Sequence, residues 1–168
     1  MSIRKMLEKW DGKSIDEINR LYDLYRTDDA FITLILPLFK QRDYESGATW
    51  LLKRYLEDQK CIDDSLLDEI FKSLASLNHW QSKLHLLQCL SYFKISKTNK
   101  RNLELFLREC LMSNNKFVRA WAYNGFYELA VQHPQYREET KTFFEMAMRD
   151  EAPSVKARIR NIMKQGSF

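Results

Sequence analysis

Residues 114–134 read NNKFVRAWAYNGFYELAVQHP, and the spacing of the apolar residues in this stretch is typical of an α-helix. At 100° per residue, five of them fall within an arc of about 100°, the width of a stripe that faces a protein core: Val118, Ala122, Gly125, Phe126 and Leu129. A glycine inside a helix costs roughly 1 kcal/mol of helix propensity. Close approach of a neighbouring helix can offset that cost, so the stretch predicts a helix packed tightly against another.

Two flanks border this stripe. Trp121 lies on one flank, and large aromatic side chains usually bury most of their surface, so we expect it to pack between neighbouring helices. Arg119, Tyr123 and Tyr127 follow one another at positions i, i+4 and i+8 on the opposite flank. This row is not needed for the core and is a candidate binding surface, where an arginine can lie beside aromatic rings.

Helical periodicity continues along almost the whole chain, and the 168 residues include only four glycines and three prolines. Pro37 should kink its helix because proline lacks a backbone N–H. Sheet folds need many more turn residues, so the chain is predicted to be all-α. Nine helices joined by short polar links are predicted, over residues 14–26, 28–41, 45–59, 64–77, 79–94, 100–113, 115–132, 136–149 and 153–164.

The helices also repeat. A shift of 36 residues places HWQSKLHLLQCLSYF, from His79, under NKFVRAWAYNGFYEL, from Asn115, and a further shift of 37 places SVKARIRNIM in the same register. A fixed period of this length is typical of helical repeat proteins, in which hairpins stack and share a core.

The segments NKFVRAWAYNGFYELA and APSVKARIRNIMK resemble the second helix of HEAT-like (armadillo-type) repeats, which often open with Val, then Arg or Lys, then Ala. The resemblance implies one domain over residues 1–168, folded as a right-handed α–α superhelix. Residues 1–27 would form an N-terminal capping helix and residues 28–164 four helical hairpins. Second helices of such arrays usually line a concave surface, which implies a groove formed by Lys83, Arg119, Tyr123, Tyr127, Lys156, Arg158 and Arg160.

Charge is unevenly distributed along the chain. Residues 1–84 carry 13 basic and 15 acidic side chains, whereas residues 85–168 carry 14 and 8, a net charge of +6. The basic half could attract an anionic partner or could simply be a solvated surface. Three widely spaced cysteines (Cys61, Cys89 and Cys110) without a metal-binding pattern are typical of reduced thiols in a cytoplasmic protein. The longest apolar run is too short to cross a membrane, and the N-terminus does not read as a signal peptide.

No catalytic motif, cofactor fingerprint or metal-ligand spacing occurs in the sequence. Helix dipoles account for acidic pairs such as Asp28-Asp29 and Glu138-Glu139, which fall where helices begin. The sequence therefore favours a non-enzymatic module that binds a protein or peptide partner on its concave face, without a cofactor or metal. An immunity-type, assembly or regulatory role is also compatible with it.

Nucleic-acid binding remains an alternative. A family of bacterial DNA glycosylases that act on alkylated bases is built from HEAT-like repeats, with a basic concave face and tryptophans near the lesion. Here Trp50, Trp80 and Trp121 could correspond to those tryptophans. No position matches the catalytic aspartate of that family, so the resemblance carries over no catalytic residue.

Overall fold

The computed structural model describes residues 1–166, and within this range the chain is all-helical, with no β-strand. The all-α prediction is therefore confirmed. The α-helices are α1 (Ile3–Lys9), α2 (Ile15–Tyr25), α3 (Phe31–Ile35), α4 (Glu45–Glu57), α5 (Asp64–Ser73), α6 (Trp80–Cys89), α7 (Lys100–Leu111), α8 (Lys116–Gln132), α9 (Arg137–Asp150) and α10 (Pro153–Gln165). Short 3₁₀ turns occupy Leu36–Lys40, Leu74–Ser76, Leu90–Tyr92 and Pro134–Tyr136.

The N-terminal segment contains two helices where a single capping helix was predicted. The chain turns between α1 and α2 at Gly12, whose φ of +77° strongly favours glycine. The carboxylate of Asp11 accepts hydrogen bonds from the backbone N–H groups of Lys13 and Ser14, which fixes this turn. The Ser14 side chain in turn accepts a hydrogen bond from the Glu17 N–H and caps α2.

Pro37 interrupts its helix as predicted. The α-helical segment α3 ends at Ile35, and the chain continues as a 3₁₀ turn that includes the proline. From α4 onward, every second helix begins at a regular interval along the chain. Glu45, Trp80, Lys116 and Pro153 open α4, α6, α8 and α10, which start 35, 36 and 37 residues apart. These spacings agree with the period found in the sequence.

The chain divides into two compact units, Met1–Cys89 and Leu90–Phe168. In the first unit, α4 packs against α6 and against the segments that precede it. Leu7 and Trp10 lie so close to Gly47 that a Cβ there would come within 2.7 Å of the Leu7 side chain. The wholly buried Glu45 accepts hydrogen bonds from the backbone N–H groups of Asn78 and His79, just before α6 begins.

In the second unit, α8 is the central helix and contacts α7, α9 and α10. Gly125 allows the close approach that the sequence predicts, because a Cβ at this position would lie 2.4 Å from Cδ2 of Leu107. Phe126 packs edge-on against Phe143 of α9, with ring centroids 5.1 Å apart. The result is a core shared by two consecutive hairpins, α7–α8 and α9–α10.

Candidate functional site

Arg119 belongs to the structural framework of the second unit and is not an open binding residue. Its Nε and one Nη bond the two carboxylate oxygens of Glu151 at 2.9 and 3.1 Å. Its other Nη donates to the backbone carbonyls of Ser113 and Asn114 at 3.0 and 3.3 Å. Hydrogen bonds from this guanidinium hold the pKa of Glu151 below its ordinary value. Arg119 thus ties the turn before α8 to the turn before α10.

The tyrosines of the predicted row are also covered. Tyr123 is 9% exposed and packs edge-on against Phe144 of α9. Burial and the negative charge of Glu151 raise the pKa of Tyr123. Tyr127 is partly buried against the same core. The prediction that this flank is not needed for the core is therefore wrong, because α9 and α10 close over it.

The opposite flank of α8 is the exposed one. Its open flank consists of Phe117, Trp121, Glu128 and Val131, which lie within about 80° of one another at 100° per residue, an arc that also contains the buried Asn124. Phe117 is 50% exposed and Val131 45% exposed, whereas Trp121 and Glu128 are partly buried. Burial raises the pKa of Glu128. Trp121, predicted to pack between neighbouring helices, contacts α10 on one side but retains exposed surface.

Arg158 of α10 lies directly over Trp121. Its guanidinium carbon is 4.1 Å from the ring centroid, a cation–π contact at short range. Unlike Arg119, Arg158 donates no hydrogen bond and forms no ion pair within residues 1–166. The aromatic ring therefore holds this guanidinium in place while its N–H donors remain open to solvent or to a partner.

Lys156 and Arg160 of the predicted groove do not join this surface. Lys156 and Arg160 are 100° and 140° from Val155 around α10, whereas Arg158 is at 300°, so they lie on the other flank of the helix. Lys83 belongs to α6 of the first unit and is partly buried there. The cations of α10 that were predicted to line the groove are therefore divided between two flanks of that helix.

The first unit has a contact in the same register as the Arg158–Trp121 pair. His85 of α6 lies 2.9 Å from Oγ1 of Thr49 on α4, and these residues are 36 apart in sequence. Burial and the charge of Lys53 lower the pKa of His85 to about 4, so its ring is neutral at pH 7. Trp121 and Arg158, which are 37 residues apart, occupy the corresponding positions on α8 and α10.

An apolar cleft of about 490 Å³, here named the end cleft, opens beside α10. Lys141 and Glu145 are the charged residues among those that line it. Both belong to α9, and α10 contributes Ile162 and Met163, so the cleft lies along the α9–α10 hairpin. The remaining lining residues are Tyr127, Phe144, Met148, Ile162, Met163 and Gly166.

The described residues include no group of three His, Cys, Asp or Glu side chains placed to hold a metal ion. No helix within residues 1–166 is long and apolar enough to cross a membrane. Cys89 and Cys110 are buried, and burial raises the pKa of the Cys89 thiol, whereas Cys61 is exposed. These cysteines form no disulfide in the part of the chain that the structure describes.

The Arg158–Trp121 pair was missed at the level of sequence, although the signal was present. The 37-residue shift that aligns α8 with α10 places Arg158 at the position of Trp121. Comparison of the chain with protein-family models, curated proteins and solved structures finds no match.

Proposed function

We propose that the chain is a non-enzymatic binding module of the HEAT-like type, a right-handed superhelical array that binds a protein or peptide partner. Its binding surface is the open flank of α8 together with Arg158. The period of 35 to 37 residues between second helices supports the repeat assignment. The composition of the open flank supports the function.

The Arg158–Trp121 contact is the observation that carries this proposal. A free arginine side chain loses considerable conformational entropy when a partner immobilises it. Packing on Trp121 orders the guanidinium beforehand, so part of that cost is already met when the partner arrives. Arginine and tryptophan are also the residues most enriched at the energetic centres of protein interfaces.

The rest of the open flank favours a protein over a nucleic acid. Phe117 and Val131 offer exposed apolar surface, which suits the side chains of a peptide or protein. Glu128 forms no ion pair within residues 1–166, and its carboxylate would repel phosphate groups. Two of the described cations pack on this flank, Arg158 over the ring of Trp121 and Lys116 over the ring of Phe117, with its Nζ 5.5 Å from the centroid. A mixed surface of this kind is typical of a protein interface.

A specific observation keeps nucleic-acid binding as a second candidate. Helix α10 has no acidic residue, and within the described part of the chain none of its four cations forms an ion pair. These cations are Lys156, Arg158, Arg160 and Lys164. An anionic polymer could use several of them together.

Quantitative affinity capture tests the protein-binding proposal. The wild-type chain should enrich a stoichiometric protein partner that the Trp121→Ala and Arg158→Glu variants lose by about tenfold or more, a loss expected for central interface residues. Lys97→Glu is the matched control, since Lys97 is an exposed cation of the same unit. Enrichment that is equal in the variants and the wild type would contradict the proposal.

Fluorescence anisotropy with labelled single- and double-stranded oligonucleotides tests the second candidate. Affinity that falls steeply with salt, and falls further in Arg160→Glu and Lys164→Glu, would favour nucleic-acid binding. No affinity even at low salt would exclude it. Both measurements use variants at exposed or partly exposed positions, and circular dichroism should show unchanged helicity in each.

A further inference from the structure

We infer that the end cleft and the basic flank of α10 form a second binding surface, which takes an amphipathic α-helix from a partner protein. This surface is separate from the open flank of α8, so the inference does not depend on the function proposed above. It follows from a comparison of two equivalent edges within the second unit. The first is the covered edge of the α7–α8 hairpin, and the other is the exposed edge of α9–α10.

The covered edge of the α7–α8 hairpin shows what kind of structural element packs on such an edge. At the α7–α8 edge, Phe126 and Tyr123 are covered by two aromatic residues of α9, Phe143 and Phe144. The following hairpin also supplies Glu139, which bonds Arg108 at 2.6 Å. It further supplies Glu151, which forms the two-point contact with Arg119. The part of the cover that α9 supplies is thus a helix that brings apolar rings, with carboxylates in and just beyond it, and α10 packs on the rest of α8.

The exposed edge carries the equivalent positions without their cover. A shift of 37 residues takes the fully buried Phe126 to Met163, which is 59% exposed. The same shift takes Tyr123 to Arg160 and Arg119 to Lys156. Neither cation forms an ion pair within residues 1–166, whereas Arg119 is fully engaged with Glu151. Beyond α10, the described residues provide no helix over this edge.

The lining of the end cleft suits a helix with apolar anchors. Met148 and Met163 contribute flexible, polarisable side chains, which adapt to the shape of an incoming residue. Phe144 and Ile162 form the floor. Amphipathic helices bind such grooves through side chains spaced at i, i+3, i+4 and i+7.

Charge complementarity specifies the partner helix further. Lys156, Arg160 and Lys164 lie at i, i+4 and i+8 along the flank beside Met163, so the partner should present carboxylates to α10. On α9 the order of the two charged residues is the reverse of the order on α7 at the covered edge. Glu104 and Arg108 of α7 correspond to Lys141 and Glu145, so the partner needs a basic residue where α9 has Glu139.

This reversal allows a discriminating binding test with the 168-residue chain. The probe is a fluorescein-labelled peptide of residues 136–151, YREETKTFFEMAMRDE, carrying the change Glu139→Lys. The modified peptide should bind saturably and more tightly than the unmodified peptide, because the introduced lysine would meet Glu145 in place of a like charge. Lys156→Glu and Met163→Asp in the 168-residue chain should each weaken binding by about tenfold, a loss of about 1.4 kcal/mol. The Lys97→Glu control should bind as the wild type does.

Three results would overturn the inference. A scrambled peptide of the same composition could bind equally well, which would show that the helical pattern is irrelevant. The variants at Lys156 and Met163 could bind like the wild type, which would place the peptide elsewhere. Analytical ultracentrifugation could show a dimer of the 168-residue chain that Met163→Asp dissociates, which would make a second copy the occupant in place of a partner protein.

Discussion

Two arginines of the second unit, 39 positions apart, have opposite roles because their surroundings differ. Arg119 uses its guanidinium to bond Glu151 and two backbone carbonyls, so it has little left to offer a partner. Arg158 rests on the face of Trp121 and leaves its donors free of hydrogen bonds within residues 1–166. A charged residue at a helix flank therefore needs its local partners identified before it is assigned to binding.

Replacing Arg119 should lower stability. Arg119→Met removes the two-point contact with Glu151, whose side chain is 15% exposed, and should cost about 1–3 kcal/mol. Arg101→Met is the control, since Arg101 is 69% exposed and should contribute less than about 1 kcal/mol. Chemical denaturation measures both. An unchanged unfolding free energy in Arg119→Met would show that the pair contributes nothing.

The same ion pair gives a pH dependence of defined sign. The pKa of Glu151 is lowered from the ordinary value of 4.5. The contribution of the ion pair to the free energy of unfolding is therefore fully present above that pH. The contribution is lost as the pH falls through the lowered folded-state value. The stability difference between wild type and Arg119→Met should therefore shrink in acid.

His85 should contribute a separate acid sensitivity in the first unit. Its pKa is lowered from 6.5 to about 4. Between these two pH values the imidazole is protonated in the unfolded chain but stays neutral in the folded chain. Stability should therefore fall as the pH drops from 6.5 to about 4, by up to about 1.4 kcal/mol per pH unit. His85→Gln should lack this component. An NMR titration giving an ordinary histidine pKa for His85 would contradict the account.

At the scale of helices, the packing of α8 decides which surface is open. This helix buries residues on most of its circumference, because α7, α9 and α10 all contact it. The one glycine within it lies against α7, where a Cβ would come within 2.4 Å of Cδ2 of Leu107. Helix α8 therefore acts as the core of the second unit and exposes only one narrow flank.

Substitution of Gly125 tests that close approach. Gly125→Leu forces atoms into space held by Leu107 and Leu90 and should cost about 3 kcal/mol. Gly125→Ala combined with Leu107→Ala should be less destabilising than the sum of the single changes, since the second change makes room for the added methyl group. Thermal and chemical unfolding measure these effects. A Gly125→Leu variant as stable as the wild type would rule out a tight contact.

The helices and the core stripe of α8 could be predicted from sequence because they depend on local periodicity. Val118, Ala122, Phe126 and Leu129 are all fully buried as expected. The open flank could not be predicted in this way. Arg119 and Trp121 lie on opposite sides of the stripe, and the choice between the sides depends on α9 and α10, which come later in the chain.

At the scale of the whole chain, the helices α4, α6, α8 and α10 begin 35, 36 and 37 residues apart. The contacts between Thr49 and His85 and between Trp121 and Arg158 link α4 with α6 and α8 with α10 in matching register, one pair in each unit. The variation lies in the chemistry of the contact, which is a hydrogen bond in the first unit and a cation–π contact in the second.

Site-specific photo-crosslinking tests the central claim, that the open flank of α8 contacts a protein. Benzoylphenylalanine would replace Phe117 on the open flank or, as the control, Leu105 on α7, since both positions are 50% exposed. After irradiation of intact cells, the probe at position 117 should yield a discrete protein adduct, identified by mass spectrometry, that Arg158→Glu abolishes. The probe at position 105 should not yield it. Equal adducts at both positions, or an adduct at position 117 that persists in Arg158→Glu, would contradict the claim.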